Sequence, residues 1–109
     1  MAFSFSFTAA ATADLDEILS YLSTELANPT AASAFIDHVE KTISRLVEFP
    51  QSGSVVENEF VTAKNIRKVP VGNYMLYYTL DNVEETVVII RVLYAKRSPK
   101  RISNQLEQY

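Results

Sequence analysis

Hydrophobic and polar residues alternate at the start of the chain and then follow a helical spacing. Phe3, Phe5 and Phe7 alternate with serines, which predicts a strand of about five residues with one buried face. After Thr8, a residue able to cap a helix, the apolar positions recur every three or four residues. They are Leu15, Ile18, Leu19, Leu22 and Leu26. This spacing predicts an amphipathic helix of roughly 18 residues.

A second helix is predicted after Asn28, because Asn is a good N-cap and Pro29 is tolerated in the first turn of a helix. Its apolar stripe ends before Phe49-Pro50 and contains Ala32, Phe35, Ile36, Val39, Ile43 and Leu46. The short connection between the two helices predicts an antiparallel helical hairpin. Residues 51–60 are polar and show no periodicity, so they are predicted to form a loop.

Three segments rich in β-branched and aromatic residues follow, at residues 66–71, 74–80 and 86–94. Their short links predict an antiparallel meander. The predicted fold class is therefore α+β: an N-terminal strand, the helical hairpin, and a three-stranded antiparallel meander that forms one small sheet packed on the helices. Residues 98–109 are polar and are predicted to form a short helix or a loose tail.

The last two strands of the meander are apolar on both faces. In the strand at residues 74–80, Met75 and Tyr77 are expected on one face, and the opposite face is expected to carry Tyr74, Leu76, Tyr78 and Leu80. A sheet covered by helices on one side only does not require this pattern. We therefore expect the second face to be covered by a partner or by the C-terminal segment, or to serve as a site.

Length and composition narrow the function classes. A chain of 109 residues has room for one domain, taken here as residues 1–109. With no cysteine and one histidine, His38, disulfides and metal sites built from sulfur or several histidines are excluded. His38 is interpreted as a flank residue of the second helix. Two glycines are too few for a glycine-rich phosphate loop, and the apolar runs are too short for a membrane span.

The first residues also lack the basic opening of a secretory signal. We therefore expect no cofactor, no metal and no membrane partner, and a cytoplasmic location.

The charge of the chain is divided unevenly. Residues 1–60 contain two basic and nine acidic residues, a net charge of −7, and residues 61–109 contain eight basic and four acidic residues, a net charge of +4. Two interpretations are open at this point. The acidic and basic halves neutralise each other, or a basic face binds an anionic partner such as nucleic acid or an acidic polypeptide.

Six of the eight basic residues of the second half are the candidate functional residues. They are Lys64, Arg67, Lys68, Arg91, Lys96 and Arg97. Arg91 interrupts an apolar strand, so it needs a carboxylate, a carbonyl or a ligand. Either it pairs with an Asp or Glu inside the fold, or Arg67, Arg91 and Arg97 lie side by side on adjacent strands and bind phosphate or an acidic helix. Glu57 and Glu59 are placed in the loop that faces the basic strands.

Four stretches together resemble the RelE/ParE superfamily of bacterial toxins. They are residues 13–22 (ADLDEILSYL), 46–53 (LVEFPQSG), 66–78 (IRKVPVGNYMLYY) and 90–97 (IRVLYAKR). The resemblance covers nearly the whole chain in the right order. It implies a strand, a helical hairpin and an antiparallel sheet, and a growth-arresting toxin of a type II toxin–antitoxin system. It also implies a hetero-oligomer with a cognate antitoxin, whose acidic or amphipathic segment covers the toxin.

The superfamily has two activities. RelE-like members cleave mRNA on the ribosome and commonly carry an arginine where this chain has Met75. On that hypothesis Arg67, Arg91 and Arg97 hold phosphate, and Glu57, Glu59 or Tyr94 transfers protons. ParE-like members poison DNA gyrase by binding, and Met75 favours this branch. A third hypothesis is a non-toxic, degenerate module that only binds the antitoxin.

A surface for the target or the antitoxin follows from the same resemblance and the charge pattern. It is expected to contain Lys64, Arg67, Lys68, Met75, Tyr77, Arg91, Lys96 and Arg97.

Overall fold

The order of helices and strands follows the predicted α+β pattern. The structure is a computed structural model that describes residues 3–56, 65–96 and 99–106. Its elements are β1 (Ser4–Phe7), α1 (Ala9–Ser20), a π-helical turn (Tyr21–Glu25), α2 (Pro29–Glu48), β2 (Ser54–Val55), β3 (Arg67–Val71), β4 (Tyr74–Asp81), β5 (Thr86–Tyr94) and α3 (Pro99–Leu106). Among these described elements, no helix is long and apolar enough to cross a lipid bilayer.

Both long helices begin at the predicted caps. The Thr8 side chain accepts a hydrogen bond from the amide of Ala11 at 3.1 Å and donates one to the carbonyl of Ile90 at 2.9 Å. Asn28 accepts from the amide of Ala31 at 3.0 Å and precedes Pro29. Each cap satisfies one amide that the first helical turn leaves without a partner. Thr8 also fixes the start of α1 to β5.

The first helix ends in a π-helical turn instead of continuing as an α-helix to Leu26. Ser23 donates its hydroxyl to the carbonyl of Leu19 at 2.5 Å, and Thr24 donates to the carbonyl of Ser20. Such side-chain bonds compete with the regular backbone ladder. The apolar spacing of the sequence does not reveal this change, because it records which face is buried and not how each carbonyl is satisfied.

The sheet has five strands in the order β1-β5-β4-β3-β2. The antiparallel meander of β3, β4 and β5 is confirmed. β1 pairs in parallel with β5, with Ser4 opposite Thr86. β2 lies within residues 51–60, which the sequence predicts as a loop, and pairs antiparallel with β3. Two residues are too few to show an alternating pattern, so only the pairing partner reveals this strand.

The two faces of the sheet have separate cores. One face packs against the helical hairpin, and its buried residues include Ile18, Phe35, Val39, Leu46, Leu76, Tyr78, Val87 and Ile89. The other face packs against α3, and its buried residues are Ile66, Tyr77, Ile90, Leu93 and Leu106. These faces are called the hairpin side and the α3 side below. The C-terminal segment covers this face as α3, which is one of the possibilities that the sequence left open.

A bulge in β5 changes which of its side chains project to each face of the sheet. Tyr77 lies opposite Arg91 and Tyr78 lies opposite Ile89, which leaves Ile90 as an extra residue. A bulge reverses the alternation of side chains beyond it. Ile89 therefore packs in the core of the hairpin side, and so does Val92 instead of Arg91.

Candidate functional site

Strand pairing aligns several candidate residues in rows across the sheet. Lys68 lies opposite Tyr77, which lies opposite Arg91. Met75 lies opposite Leu93 in the neighbouring row. Directly paired residues project to the same face of a sheet, so Lys68, Met75 and Tyr77 share the α3 side. Tyr77 is buried, and Lys68 and Met75 are half-buried.

Arg91 links the two helical layers through hydrogen bonds from its guanidinium. Its Nε donates to Asp14 Oδ2 at 2.7 Å, and one terminal nitrogen donates to Asp14 Oδ1 at 2.8 Å. The other terminal nitrogen donates to the carbonyl of Gln105 in α3 at 3.0 Å. The pairing of Arg91 with a carboxylate is therefore confirmed.

The Asp14–Arg91 pair is largely shielded from water. The side chains of Arg91 and Asp14 are 12% and 10% exposed, and Asp14 also accepts from the amide of Val92 at 3.0 Å. The hydrogen bonds to Asp14 raise the pKa of Arg91 against the opposing effect of burial. This pair joins α1 and β5 as one unit.

Arg67 contacts the backbone that follows α2. Its guanidinium donates to the carbonyls of Gln51 at 3.2 Å and Gly53 at 2.8 Å. Arg67 is opposite Tyr78, whose ring lies in the core of the hairpin side. The expectation that Arg67 and Arg91 lie side by side on adjacent strands is wrong, because β4 separates them and they occupy different rows.

The hydroxyl of Tyr78 makes hydrogen bonds to the same stretch of backbone that Arg67 contacts. Its hydroxyl donates to the carbonyl of Pro50 at 2.7 Å and accepts from the amide of Gly53 at 3.0 Å. Burial raises the pKa of Tyr78, while the Gly53 amide and the charge of Arg67 oppose this rise. The turn at residues 50–53 is thus tied to both β3 and β4. The sequence gives no signal of this anchor, since a tyrosine in an apolar strand is equally typical of ordinary core packing.

Tyr94 lies in a groove between α1 and β5, on the hairpin side. The groove has a volume of about 410 Å³, and it is lined by Asp14, Glu17, Ile18, Tyr21, Tyr74, Val92 and Tyr94. The ring of Tyr94 meets that of Tyr74 edge to face, with centroids 6.1 Å apart. Burial and the neighbouring hydroxyls of Tyr21 and Tyr94 raise the pKa of Tyr74. Tyr94 is thus on the face opposite Lys68, Met75 and Tyr77. Tyr21 also lines this groove, and its spacing in the sequence gave no signal of that position.

The remaining candidates do not join these contacts in the described part of the chain. Lys96 is exposed in the turn after β5. Glu57, Glu59, Lys64 and Arg97 lie outside the described residues. Among the described residues, no group of three or more His, Cys, Asp or Glu side chains is placed to hold a metal ion.

The comparison with protein families identifies the chain. The model of the family described as ParE toxin of type II toxin–antitoxin system, parDE, matches residues 5–99. The chain belongs to the ParE toxin family. A comparison with curated protein sequences finds no match.

Solved structures of toxin–antitoxin proteins share the fold of this ParE family member. A chain of the RelBE2 toxin–antitoxin complex from Mycobacterium tuberculosis is 25% identical with a TM-score of 0.61, over 86% of this chain and 99% of that chain. A chain of the chromosomal ParDE system from P. aeruginosa is 16% identical with a TM-score of 0.67, over 87% and 98%. The isolated E. coli RelE toxin is 18% identical with a TM-score of 0.58, over 98% of each chain. The protein is therefore a type II toxin of the RelE/ParE superfamily.

Proposed function

We propose that this toxin acts as a ParE-like inhibitor of DNA gyrase that works by binding, and that a cognate antitoxin neutralises it. The observation that carries this proposal is the match of the ParE toxin family model over residues 5–99. The action on gyrase comes from the resemblance of the sequence to the ParE-like branch of the superfamily. The solved ParDE and RelBE complexes support an antitoxin partner and a hetero-oligomer.

The positions of the candidate nuclease residues support binding over catalysis. Cleavage of RNA by attack of a 2′-hydroxyl needs a proton-transfer group beside cations that stabilise the phosphorane charge. The donors of Arg91 bind Asp14 and Gln105, and Arg67 binds the turn at residues 50–53. Tyr94 is on the opposite face of the sheet from Lys68. Met75, where RelE-like members commonly carry an arginine, contributes no charge.

We place the binding surface for gyrase or the antitoxin on the exposed part of the α3 side. Lys68 supplies positive charge there, and the half-buried Met75 supplies apolar area. Lys96 is exposed in the turn after β5. Tyr77, which the sequence also assigned to this surface, is buried in the core on the α3 side and offers no area to a partner. A mixed surface of this kind suits an amphipathic, acidic segment of an antitoxin. Lys64 and Arg97, which the sequence predicts for the same surface, lie outside the described residues.

The second candidate function is a RelE-like, ribosome-dependent mRNA endoribonuclease. The RelBE2 chain favours it, since its identity to this chain is 25% against 16% for the ParDE chain. On this alternative, Met75 is a tolerated replacement and the proton-transfer group lies among Glu57, Glu59 and Tyr94.

Short, controlled expression in a bacterial host distinguishes the two functions. We expect growth arrest with induction of DNA damage and intact transcripts, and loss of supercoiling when purified toxin is added to gyrase. Cleaved mRNA with undamaged DNA would instead support the RelE-like endoribonuclease. No arrest at all would leave the third hypothesis, a module that only binds the antitoxin.

A pair of variants tests the proposed surface. Lys68→Glu is expected to weaken toxicity or antitoxin binding, because it reverses a charge on the α3 side. Val83→Ser is the matched control: Val83 is 90% exposed between β4 and β5. Equal toxicity and equal antitoxin affinity of the two variants would place the binding surface elsewhere.

A further inference from the structure

The cations of the acidic half of the chain converge on one groove. Lys41 and Arg45 are the only Lys or Arg in residues 1–60, and His38 is the only histidine of the chain. Their spacing of three and four residues places them on one face of α2. All three line a groove of about 450 Å³ between α2, Ser52 in the turn after it, and Val69 and Pro70 of β3.

These three side chains make few ionic contacts within the described part of the chain. Between described residues the ion pairs are Lys41–Asp37 and Arg91–Asp14, so no described carboxylate pairs with Arg45 or His38. The Lys41–Asp37 pair has a distance of 3.3 Å, with side chains 76% and 66% exposed. An exposed pair of this kind contributes little and exchanges readily with water. Lys41 is therefore available to another anion.

The position of Arg45 near the end of α2 explains only part of the cluster. A cation in the last turn of a helix complements the helix dipole, and Arg45 lies there. Lys41 is one turn earlier, where that effect has faded. The dipole also gives no reason for both cations to line the same groove as Ser52.

We propose that this groove binds a phosphate group. Arg45 and Lys41 supply two positive charges, and the Arg45 guanidinium, the Lys41 ammonium, the His38 ring and the Ser52 hydroxyl together offer more donors than the two oxygens of a carboxylate use. A phosphate, with three or four oxygens, matches this donor set better. The volume lies within the range of about 300–1,000 Å³ typical of small-ligand sites. Val69 and Pro70 form an apolar wall against which the sugar or base attached to the phosphate packs.

The phosphate comes from a nucleic-acid backbone or from a free phosphorylated small molecule such as a nucleotide. The chemistry recognised in the groove is the same in both cases. The site is separate from the α3 side and does not depend on whether the toxin acts on gyrase or on mRNA, because α2 packs on the opposite face of the sheet.

Titration of the full chain with two probes tests the groove. Backbone amide shifts are followed by ¹H–¹⁵N NMR during additions of sodium pyrophosphate and, separately, of a short single-stranded oligonucleotide. We expect shifts concentrated at residues 38–45, 52 and 69, since Pro70 has no amide proton. In the double variant Lys41→Ala/Arg45→Ala the affinity is expected to fall at least about tenfold, which corresponds to the loss of charge-assisted hydrogen bonds.

The control variant is Lys100→Ala, which removes one exposed positive charge on α3 and is expected to leave the groove affinity unchanged. Thermal unfolding of both variants, monitored by circular dichroism, checks that the fold is retained. Tighter binding of the oligonucleotide than of pyrophosphate would identify nucleic acid as the source, and binding of pyrophosphate alone would identify a small molecule.

Three results would overturn the proposal. The first is that neither probe, at millimolar concentration, shifts the amide signals of the groove. The second is equal binding by the double variant and the wild-type chain. A control titration with a glutamate-rich peptide supplies the third: tighter binding of this peptide than of either phosphate probe would make the groove a carboxylate site.

Discussion

Asp14 and Arg91 form a bidentate ion pair between α1 and β5, with N–O distances of 2.7 and 2.8 Å. The second function of the same carboxylate is to accept the amide of Val92 at 3.0 Å. β1 pairs with β5 only as far as Ile89, so the next part of the β5 edge has no strand partner. Asp14 supplies a hydrogen-bond acceptor for that part of the edge. One side chain from α1 therefore both neutralises the buried arginine and completes the backbone hydrogen bonding of the sheet.

The first prediction concerns this ion pair. Arg91→Ala is expected to lower the free energy of unfolding by about 3–5 kcal/mol, because it leaves the Asp14 carboxylate shielded and unpaired. Arg91→Lys keeps the charge but loses the bidentate geometry. It is therefore expected to lower the free energy of unfolding by a smaller but measurable amount. Urea unfolding, followed by circular dichroism, measures both.

The control is the cycle of Asp14→Ala, Arg91→Ala and the double variant. A structural pair gives a double variant much less destabilised than the sum of the two single variants. A variant of Arg91 with unchanged stability and lost toxicity would instead place its guanidinium in direct contact with the target or the antitoxin.

The second prediction concerns the hydroxyl of Tyr78. Tyr78→Phe is expected to cost about 1–3 kcal/mol of stability, since it leaves the amide of Gly53 and the carbonyl of Pro50 without their bonds to that hydroxyl. Tyr77→Phe is the matched control on the other face, because its hydroxyl makes no hydrogen bond with a described residue. Equal unfolding midpoints for the two variants would contradict the role of Tyr78 as an anchor of the turn.

The third prediction compares the two glycines. A Cβ at Gly53 meets the Tyr78 hydroxyl at 2.6 Å and the carbonyl of Lys68 at 2.9 Å, so Gly53→Ala must shift the turn or the ring. Gly72 has open space around it but a φ of +61°, so Gly72→Ala is expected to cost only the backbone penalty of about 1–2 kcal/mol. Thermal unfolding is expected to rank Gly53→Ala as the less stable variant. The reverse order would show that the Tyr78 ring moves aside at little cost.

The fourth prediction concerns alkaline pH. Burial raises the pKa of Tyr77 and Tyr78 above the usual value of 10.0 in the folded chain. The unfolded chain therefore loses these protons first, and stability is expected to fall as the pH rises through about 10 and above. The slope is at most about 1.4 kcal/mol per pH unit for each tyrosine.

Urea midpoints between about pH 9 and pH 11 measure this loss. Tyr77→Phe is expected to make the fall of stability with pH less steep by the contribution of one tyrosine. The exposed-site variant Val83→Ser is expected to leave the slope unchanged. Identical slopes in all three proteins would exclude ionisation of Tyr77 as a cause.

Local patterns in the sequence were sufficient for the main elements. Thr8 and Asn28 cap the two long helices as predicted, and β5 begins and ends at the predicted residues, Thr86 and Tyr94. These features depend on hydrogen bonds and burial within a few residues along the chain, which periodicity and capping preferences report directly. β2 was missed because its existence depends on the distant strand β3.

The candidate site depended far more on the tertiary structure. The sequence placed cations and tyrosines on particular strands and required a partner for Arg91, but it did not select Asp14, which is 77 residues away. Nor did it show that Tyr78 reaches the carbonyl of Pro50, 28 residues earlier, or that Arg67 and Arg91 belong to different rows. The sequence by itself determined the helices and the meander, because these follow from local patterns, and it indicated the superfamily through the resemblance of four stretches. Only the packed sheet decided which charges meet, because strand order, register and the bulge at Ile90 set those distances.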